Sequence, residues 1–329
     1  MRASPIVDFA STGRYLPERI VTNDDLSKIV DTNDEWIRER TGIRERRLET
    51  DDHGAAYMAA EASKIAIERS GIDPDDIETL ILSTATPDRL LPSTACDTQA
   101  LLGLKNAMAF DLSAACSGWM YGLSMAEGYI AAGRSKAALV VGTEKMSAIL
   151  DWTDRSTCVL FGDGAGAVVL KPSDGKTGIL SSFHRSDGNL AELLWRPAGG
   201  ATLPLTEERV RNRDHLMRMS GREIFKNAVR SMSQAAGEAL QRAGVTGDEI
   251  DVMVPHQANL RIVEATAKYA GIPMEKVYVN LDRYGNMSSA SIPVALDEAL
   301  EDGTIQPGMK VLSATFGAGL TWGAMVWQF

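Results

Sequence analysis

The chain of 329 residues is poor in cysteine, with three widely separated residues, Cys96, Cys116 and Cys158. An odd number of distant cysteines does not form a disulfide framework, so a reducing cytoplasm is the expected compartment. Long apolar runs are also missing: residues 137–141 form one of the longest, far too short to cross a bilayer. The first residues lack the profile of a secretion signal. We therefore expect no association with membranes.

Net positive charge is lacking as well. Lysine and arginine number 34 against 44 aspartate and glutamate residues, which gives a formal net charge of −10. This balance argues against bulk binding of nucleic acid, although a local basic patch for an acidic partner remains compatible with it. Cys96 and Cys158 have no histidine or charge pattern around them, so packing is their expected role and no metal is expected.

An internal repeat is present instead. Residues 67–82 and 240–255 share a helix that ends at glycine, an acidic turn and a short apolar strand. Gly71 aligns with Gly244 without gaps, and this pair defines the repeat offset (244 − 71 = 173). A second matching pair of segments follows in the same order, starting at Gly103 and at Gly271. Helices that alternate with apolar strands predict two duplicated α/β halves with mainly parallel strands.

The boundary between the halves is predicted from a polar, turn-rich segment, KPSDGKTG, at residues 171–178. It divides the chain into an N-terminal half, 1–175, that carries Cys116, and a C-terminal half, 176–329.

The segment DLSAACSGWMYGL, residues 111–123, places Cys116 where an apolar strand ends and a helix begins. A helix start offers free N–H groups and a positive dipole end, which lower the pKa of a cysteine and favour the reactive thiolate. Small neighbours let another molecule approach. From these residues alone, a buried cysteine that acts as a small apolar side chain is the alternative.

Two further residues follow strands of the second half. His256 follows the strand that mirrors the one ending near Ser83, and Asn286 lies at the junction that matches the junction of Cys116. Functional groups of α/β folds gather beyond the carboxyl ends of strands. If the halves pack about a pseudo-twofold axis, Cys116, His256 and Asn286 are predicted to converge.

Several motifs, found in this order, resemble those of the thiolase-like condensing enzymes, specifically the β-ketoacyl-acyl-carrier-protein (ACP) synthase III family. They are TNDEWIRERTGIRERR (32–47), AACSGW (114–119), FGDGAGA (161–167), VPHQANLRI (254–262), YGNMSSAS (284–291) and FGAGLTWG (316–323). The resemblance implies a thiolase-like fold in which the duplicated halves form α-β-α-β-α layers. It also implies a homodimer that uses acyl-CoA as a substrate and needs no cofactor. The implied reaction is decarboxylative Claisen condensation of acyl-CoA, acetyl-CoA above all, with malonyl-ACP to initiate fatty-acid synthesis.

The same resemblance assigns catalytic roles. Cys116 is the nucleophile that accepts the acyl group, and His256 and Asn286 are the decarboxylation pair. Neutral histidine and asparagine are both hydrogen-bond donors, as the developing enolate oxygen requires. The backbone N–H groups of Cys116 and Ala318 are expected to hold the tetrahedral oxyanion. The family often has glycine where this chain has Ala318, and alanine keeps the N–H.

Ligand contacts are implied in the same way. Trp36 and Arg155 are expected to stack on the CoA adenine, and Leu91 of the partner subunit to help close the acyl pocket. The full CoA set is Trp36, Arg40, Thr41, Arg155 and Asn259, and the basic set that faces the acidic ACP is Lys226, Arg261 and Lys268.

Related activities require other residues. Thiolases need a second cysteine near the C-terminus and chain-elongating synthases a second histidine, and the matched motifs supply neither. The spacing from Cys116 to His256 (256 − 116 = 140) fits papain-like proteases, but their cysteine lies near the N-terminus in disulfide-bonded proteins. Two alternatives stay open: an acyltransferase of secondary metabolism with a different acceptor, and a catalytically silent scaffold that binds ACP.

FGDGAGA invites comparison with a nucleotide-binding loop, but a strand rather than a helix is predicted to follow it. We interpret the segment as a tight glycine turn that lines the cavity.

Overall fold

A computed structural model describes residues 5–329. The strands are β1 (Val7–Tyr15), β2 (Ile20–Thr22), β3 (Glu45–Arg47), β4 (Ile77–Ser83), β5 (Met108–Leu112), β6 (Ala137–Lys145), β7 (Asp163–Pro172), β8 (Gly178–Ser186), β9 (Leu194–Trp195), β10 (Arg218–Met219), β11 (Val252–Met253), β12 (Lys310–Gly317) and β13 (Thr321–Gln328). The helices are α1 (Asn23–Leu26), α2 (Asp34–Thr41), α3 (Ala55–Ser70), α4 (Thr94–Leu102), α5 (Gly118–Ala131), α6 (Glu207–Arg211), α7 (Gly221–Ala243), α8 (Leu260–Ala270), α9 (Leu281–Tyr284) and α10 (Ser291–Glu301). Across residues 5–329, no helix combines the length and the apolar character needed to cross a bilayer.

The two main sheets repeat one strand order. The first runs β1-β7-β6-β4-β5, and the second runs β8-β13-β12-β11. In both, the first three strands are antiparallel neighbours and the next pairing is parallel. A parallel bridge from Met253 to Val277 stands in the second sheet where β5 stands in the first. The predicted duplication of an α/β unit is therefore confirmed. The prediction of mainly parallel strands is wrong, because antiparallel pairings outnumber parallel ones among the described strands of the two sheets.

The layers follow from where each helix buries its apolar face. Helices α5 and α10 lie between the two sheets, where Trp119, Leu123, Leu296 and Trp327 share one core cluster with residues of both sheets. Helices α3 and α4 cover the outer face of the first sheet, and α7 and α8 cover the outer face of the second. Burial of each large apolar side chain contributes about 1.5–3 kcal/mol. The result is the expected α-β-α-β-α architecture.

The predicted boundary at residue 175 lies between the two sheets. Strand β7 ends at Pro172 and β8 begins at Gly178. However, α10 of the second half packs on β1 and β7 of the first half, so the halves share a core. Division into domains 1–175 and 176–329 stays a prediction.

The FGDGAGA segment is a strand rather than a tight turn, so that part of the sequence analysis is wrong. Asp163 begins β7, and the glycines let the second half approach closely. A Cβ on Gly166 would lie 2.7 Å from the Pro293 Cβ of α10, and one on Gly164 would lie 2.8 Å from the Met287 sulfur. Glycine is needed here for packing.

Two equivalent 3₁₀ turns meet at the centre of the molecule. Ala115–Ser117 precedes α5 and Ser288–Ala290 precedes α10, and the turns pack directly on each other. Each begins with a residue at positive φ, 47° at Ala115 and 48° at Ser288. The separation of these two residues equals the repeat offset (288 − 115 = 173). Non-glycine residues in this conformation store strain and concentrate at functional sites.

Candidate active site

Cys116 lies in the first of these turns, between β5 and α5, as the sequence predicts. Its side chain is buried and borders two cavities, of about 110 Å³ and about 400 Å³. The end of β12 closes over it: Thr315 Oγ1 donates to the Cys116 carbonyl at 3.0 Å. A Cβ on Gly317 would lie 2.7 Å from the Cys116 nitrogen, so glycine is required at position 317.

The smaller cavity brings the three predicted side chains together. Cys116, His256 and Asn286 all line it, although they come from three separate segments of the chain. The expected convergence is therefore present. Their chemical roles are not settled by proximity and stay predictions at this point.

Asn286 is held with its amide in a defined orientation. Its Oδ1 accepts the Ser288 backbone N–H at 2.8 Å. Its backbone N–H donates to Leu160 O at 2.8 Å, and its backbone carbonyl accepts from Gly162 N at 3.1 Å. Because Oδ1 is occupied as an acceptor, the NH₂ group is the part of the amide left to donate in the cavity.

His256 is also fixed by the backbone and is electrically neutral. The backbone N–H of His256 donates to Ala314 O at 2.9 Å, and this bond extends the pairing of β11 with β12. Burial lowers the pKa of the imidazole to about 4, so one ring nitrogen carries a proton at neutral pH and the other does not. A neutral imidazole at this position is a hydrogen-bond donor without a charge.

The thiol of Cys116 differs from the sequence-based expectation of a thiolate. Burial raises the pKa of Cys116 to about 12, an effect that the Ser288 hydroxyl opposes and the nearby Glu144 carboxylate reinforces. The expectation of a lowered pKa is wrong for the ligand-free protein, because desolvation outweighs the helix start. Loss of the proton must therefore accompany attack on a substrate.

Ala318 lines the larger cavity together with Cys116. Its carbonyl accepts the Thr321 hydroxyl at 3.1 Å, and the same hydroxyl bonds Ala114 O at 2.9 Å. The turn after β12 is thus tied to the turn that carries Cys116. Participation of the Ala318 N–H in an oxyanion hole stays a prediction.

The predicted adenine-binding pair lies together on the surface. The guanidinium carbon of Arg155 is 5.1 Å from the centroid of the Trp36 ring, and that of Arg40 is 4.7 Å away. A base stacked between Trp36 and Arg155 needs about 7 Å, twice a van der Waals contact of about 3.5 Å. Arg155, which also donates to Asp31 O at 2.8 Å, would have to move for that stack to form.

The other two residues predicted to bind CoA, Thr41 and Asn259, form hydrogen bonds within the protein. The buried Thr41 hydroxyl donates to Ile37 O at 2.6 Å and accepts from Ile43 N at 3.0 Å. Asn259 caps α8 through Arg261 N, and its amide donates to Arg40 O at 2.9 Å, which joins α2 to α8. Asn259 also lines the smaller cavity, whereas no free donor of Thr41 is available to a ligand.

The three basic candidates are exposed on neighbouring helices. Lys226 lies on α7, Arg261 and Lys268 lie on α8, and these helices pack together. Arg261 also donates to Glu39 O at 2.7 Å. Leu91 is 86% exposed and lines neither of the two cavities at Cys116 within its own chain.

Sequence reasoning missed several residues of the site. Leu194 lines both cavities beside Cys116, as does Phe161 of the FGDGAGA segment, for which the sequence predicts a position at the cavity. Glu144 is buried behind the site, where it accepts the Ser288 hydroxyl at 2.9 Å. Glu144 could have been found, because a single carboxylate in the apolar run AALVVGTEK is unusual.

The duplicated five-layer fold is that of the thiolase type, and a thiol, an uncharged imidazole and a primary amide around one cavity suit a condensing acyltransferase. Comparison with known proteins makes the assignment specific. Residues 110–188 match the family described as 3-oxoacyl-[acyl-carrier-protein (ACP)] synthase III, and residues 240–329 match its C-terminal region.

Individual relatives agree over nearly the whole chain. The β-ketoacyl-[acyl-carrier-protein] synthase III of Xanthomonas campestris is 50% identical over 97% of both chains. The crystal structure of the Aquifex aeolicus 3-oxoacyl-[acyl-carrier-protein] synthase III is 46% identical, with a TM-score of 0.91 over 98% of this chain and 100% of the other. The priming β-ketosynthase of the R1128 polyketide pathway is 35% identical, with a TM-score of 0.91 over 100% of this chain and 98% of the other. The chain belongs to the β-ketoacyl-[acyl-carrier-protein] synthase III family, and its activity is that of an acyltransferase of fatty-acid synthesis.

Proposed function

We propose that this chain condenses acetyl-CoA with malonyl-ACP through an acetyl group held on Cys116. The observation that carries the proposal is the position of Cys116 between two cavities, one lined by His256 and Asn286 and the other lined mostly by apolar side chains. The first can admit the reacting ends of the thioester substrates, and the second can hold the acyl chain. Neither a cofactor nor a metal takes part in the proposed reaction.

The first half-reaction transfers the acyl group. The Cys116 sulfur forms a bond with the thioester carbonyl carbon, the bond from that carbon to the CoA sulfur breaks, and the proton of the thiol passes to CoA. The backbone N–H groups of Cys116 and Ala318 donate to the tetrahedral oxyanion. Since the pKa of Cys116 is raised in the ligand-free protein, the thiol stays protonated until a substrate is bound.

The second half-reaction breaks the carbon–carbon bond of malonyl-ACP. Carbon dioxide leaves, and the electron pair moves onto the thioester, where a ring N–H of His256 and the NH₂ of Asn286 donate to the enolate oxygen. The enolate carbon then attacks the acyl carbonyl on Cys116, the bond from that carbonyl carbon to the sulfur breaks, and the sulfur takes up a proton from water. Donation without a net charge suits His256, whose pKa is lowered to about 4.

The surface beside the smaller cavity is proposed to dock ACP. Lys226, Arg261 and Lys268 are exposed on α7 and α8, and the N-terminal parts of these helices also supply Phe225 and Ile262 to the cavity lining. Concentrated positive charge on an acidic enzyme would steer an acidic carrier protein toward this mouth.

A charge reversal tests this surface. Lys226→Glu should raise the KM for malonyl-ACP about 10-fold and leave the KM for acetyl-CoA nearly unchanged, because repulsion replaces attraction only for the carrier. Initial rates at several salt concentrations provide the measurement, and the salt dependence should weaken in the variant. Lys171→Glu, an exposed reversal at the far end of β7, is the matched control. If the two charge reversals change the KM for malonyl-ACP equally, α7 is not part of the docking surface.

A second copy of the chain is proposed to complete the acyl pocket. Strand β5 is an edge strand of the first sheet, and Leu90 and Leu91 project nearby with 81% and 86% of their surface exposed. Such exposed leucines and an open edge are typical of an interface. We propose that the dimer is cytoplasmic, because Cys96, Cys116 and Cys158 form no disulfide bond and a reducing compartment keeps such thiols reduced.

Primer preference follows from this dimer. Acetyl-CoA should be turned over fastest among acetyl-, isobutyryl- and octanoyl-CoA, because Leu91 of the partner subunit helps to close the pocket, while a leucine at this position leaves room for longer or branched acyl groups. Leu91→Ala should raise relative turnover of the longer primers about 10-fold, whereas Leu90→Ala should not, with sedimentation showing that both variants remain dimers. If the wild-type enzyme does not use acetyl-CoA, the primer assignment is rejected. If it accepts the acetyl group but does not transfer it to malonyl-ACP, a different acceptor is favoured.

A further inference from the structure

We propose that Glu144 is a positioning residue for decarboxylation, which holds Asn286 in place through Ser288. The inference rests on the proposed function, because it assigns a cause to the orientation of one of the two donors. Glu144 is the penultimate residue of β6 and has no exposed surface. Nothing in the mechanism above uses it directly.

The carboxylate of Glu144 is held between two segments. Its Oε2 accepts Ala85 N at 3.0 Å and Thr86 Oγ1 at 2.8 Å, from the loop after β4. Its Oε1 accepts Ser288 Oγ at 2.9 Å. The Thr86 hydroxyl oxygen itself accepts Lys145 N at 2.8 Å, so its hydrogen points to Glu144. Donors therefore surround both oxygens, which is the environment of an ionised carboxylate.

No lysine or arginine within residues 5–329 forms an ion pair with this carboxylate. Burial raises the pKa of Glu144, and the hydrogen bonds from Ala85, Thr86, Ser288 and Ser289 oppose that rise. A buried charge without an ion-pair partner is costly, and its hydrogen bonds have to offset that cost. The negative charge consequently fixes the donors around it more firmly than a neutral group of the same shape would.

One of those donors leads directly to Asn286. Ser288 bonds Glu144 through its hydroxyl and bonds Asn286 Oδ1 through its backbone N–H, the latter at 2.8 Å. Ser288 has a φ of 48°, a strained conformation that needs outside support. Glu144 supplies that support, and the orientation of the Asn286 amide follows from it.

The duplication explains why a carboxylate fits at this place. Adding the repeat offset, 144 + 173 = 317, makes Gly317 the counterpart of Glu144, and 116 + 173 = 289 makes Ser289 the counterpart of Cys116. In the first case, Gly317 has no side chain, so the backbone of β12 packs directly against Cys116. In the second, Glu144 fills the equivalent space and accepts the Ser289 hydroxyl at 2.9 Å. Cys116 therefore borders the two cavities, whereas its counterpart Ser289 is buried against the Glu144 carboxylate.

Glu144→Gln is the test, because the amide keeps the shape and removes the charge and one acceptor oxygen. Stopped reactions should measure acetyl-Cys116 formation separately from release of carbon dioxide from malonyl-ACP. We expect release to fall at least about 10-fold while acetylation changes less than about 3-fold. The pH midpoint of Cys116 alkylation by iodoacetamide should move downward, because the negative charge that raises the pKa of the thiol is gone.

Asp297→Asn is the matched control. Asp297 is equally buried and bonds Thr12, Arg14 and Arg69, but no residue of the cavity at Cys116. The Asp297→Asn variant should be less stable, but it should change the rates of acetylation and carbon dioxide release equally and leave the pH midpoint of Cys116 alkylation unchanged. If Glu144→Gln does not fold, Ser288→Ala decides the question, since it removes the same link and must slow carbon dioxide release selectively.

Equal loss of both half-reactions in Glu144→Gln and Ser288→Ala, or no loss in either, would overturn the role of Glu144. The wild-type enzyme separates this failure from failure of the proposed function. If wild type neither acetylates Cys116 nor decarboxylates malonyl-ACP, the function is wrong. If wild type does both and the variants behave like it, only the positioning role is wrong.

Discussion

Cys116→Ala is expected to lose condensation by at least about 10³-fold while it continues to release carbon dioxide from malonyl-ACP. Condensation is lost because no sulfur is present to carry the acyl group. Decarboxylation continues because His256 and Asn286 hold their positions through the backbone bonds of His256 to Ala314 and of Asn286 to Leu160. Radiolabelled malonyl-ACP measures both outcomes, as product on the carrier and as released gas.

The control for this variant is Cys96→Ala. Cys96 is exposed at the start of α4 and lines neither cavity at Cys116, so its removal should leave acyl transfer and condensation intact. Condensation that survives in Cys116→Ala would mean that the acyl group passes between the substrates without a covalent intermediate on this residue.

Asn286→Asp has the second large expected effect, a loss of about 10²–10³-fold in decarboxylation with normal acetylation of Cys116. The carboxylate keeps an oxygen that accepts the Ser288 N–H, but the other oxygen cannot donate to the enolate. It also places negative charge beside the oxygen where negative charge develops. Rapid-quench measurement of each half-reaction gives the result.

Asn286→Ala is the companion variant, and it should lose nearly as much, since both changes delete the donor. A purely structural role for Asn286 predicts the reverse order, with near-normal activity in the aspartate variant and a defect in the alanine variant alone. Activity of Asn286→Asp close to wild type would therefore contradict donation by this amide.

The main features of the fold could be predicted because duplication leaves a periodic record in the sequence. The offset between Gly71 and Gly244 recurs between the strained Ala115 and Ser288, which start the two central turns. The first turn carries Cys116, and Asn286 lies two residues before the second turn. The convergence of Cys116, His256 and Asn286 followed from where strands end, which hydrophobic patterning can reveal.

Other features depend on contacts between distant segments, and no local pattern carries them. The glycines of FGDGAGA were misread because their close neighbours are Met287 and Pro293, which lie in the other half of the chain. The raised pKa of Cys116 depends on how completely the second half buries it, whereas the helix start alone favours the opposite shift. Thr41 lies in a matched motif, yet its hydroxyl is engaged by Ile37 and Ile43.

The most direct measurement follows the acetyl group through one catalytic cycle by mass spectrometry of the intact enzyme and its peptides. Treatment with acetyl-CoA should place one acetyl group on the peptide that contains Cys116, and malonyl-ACP should then remove it as the ACP carries away a β-ketoacyl product. One molecule of carbon dioxide should be released for each acetyl group discharged. An acetyl group on a different residue, or one on Cys116 that malonyl-ACP leaves in place, would contradict a synthase built around this sulfur.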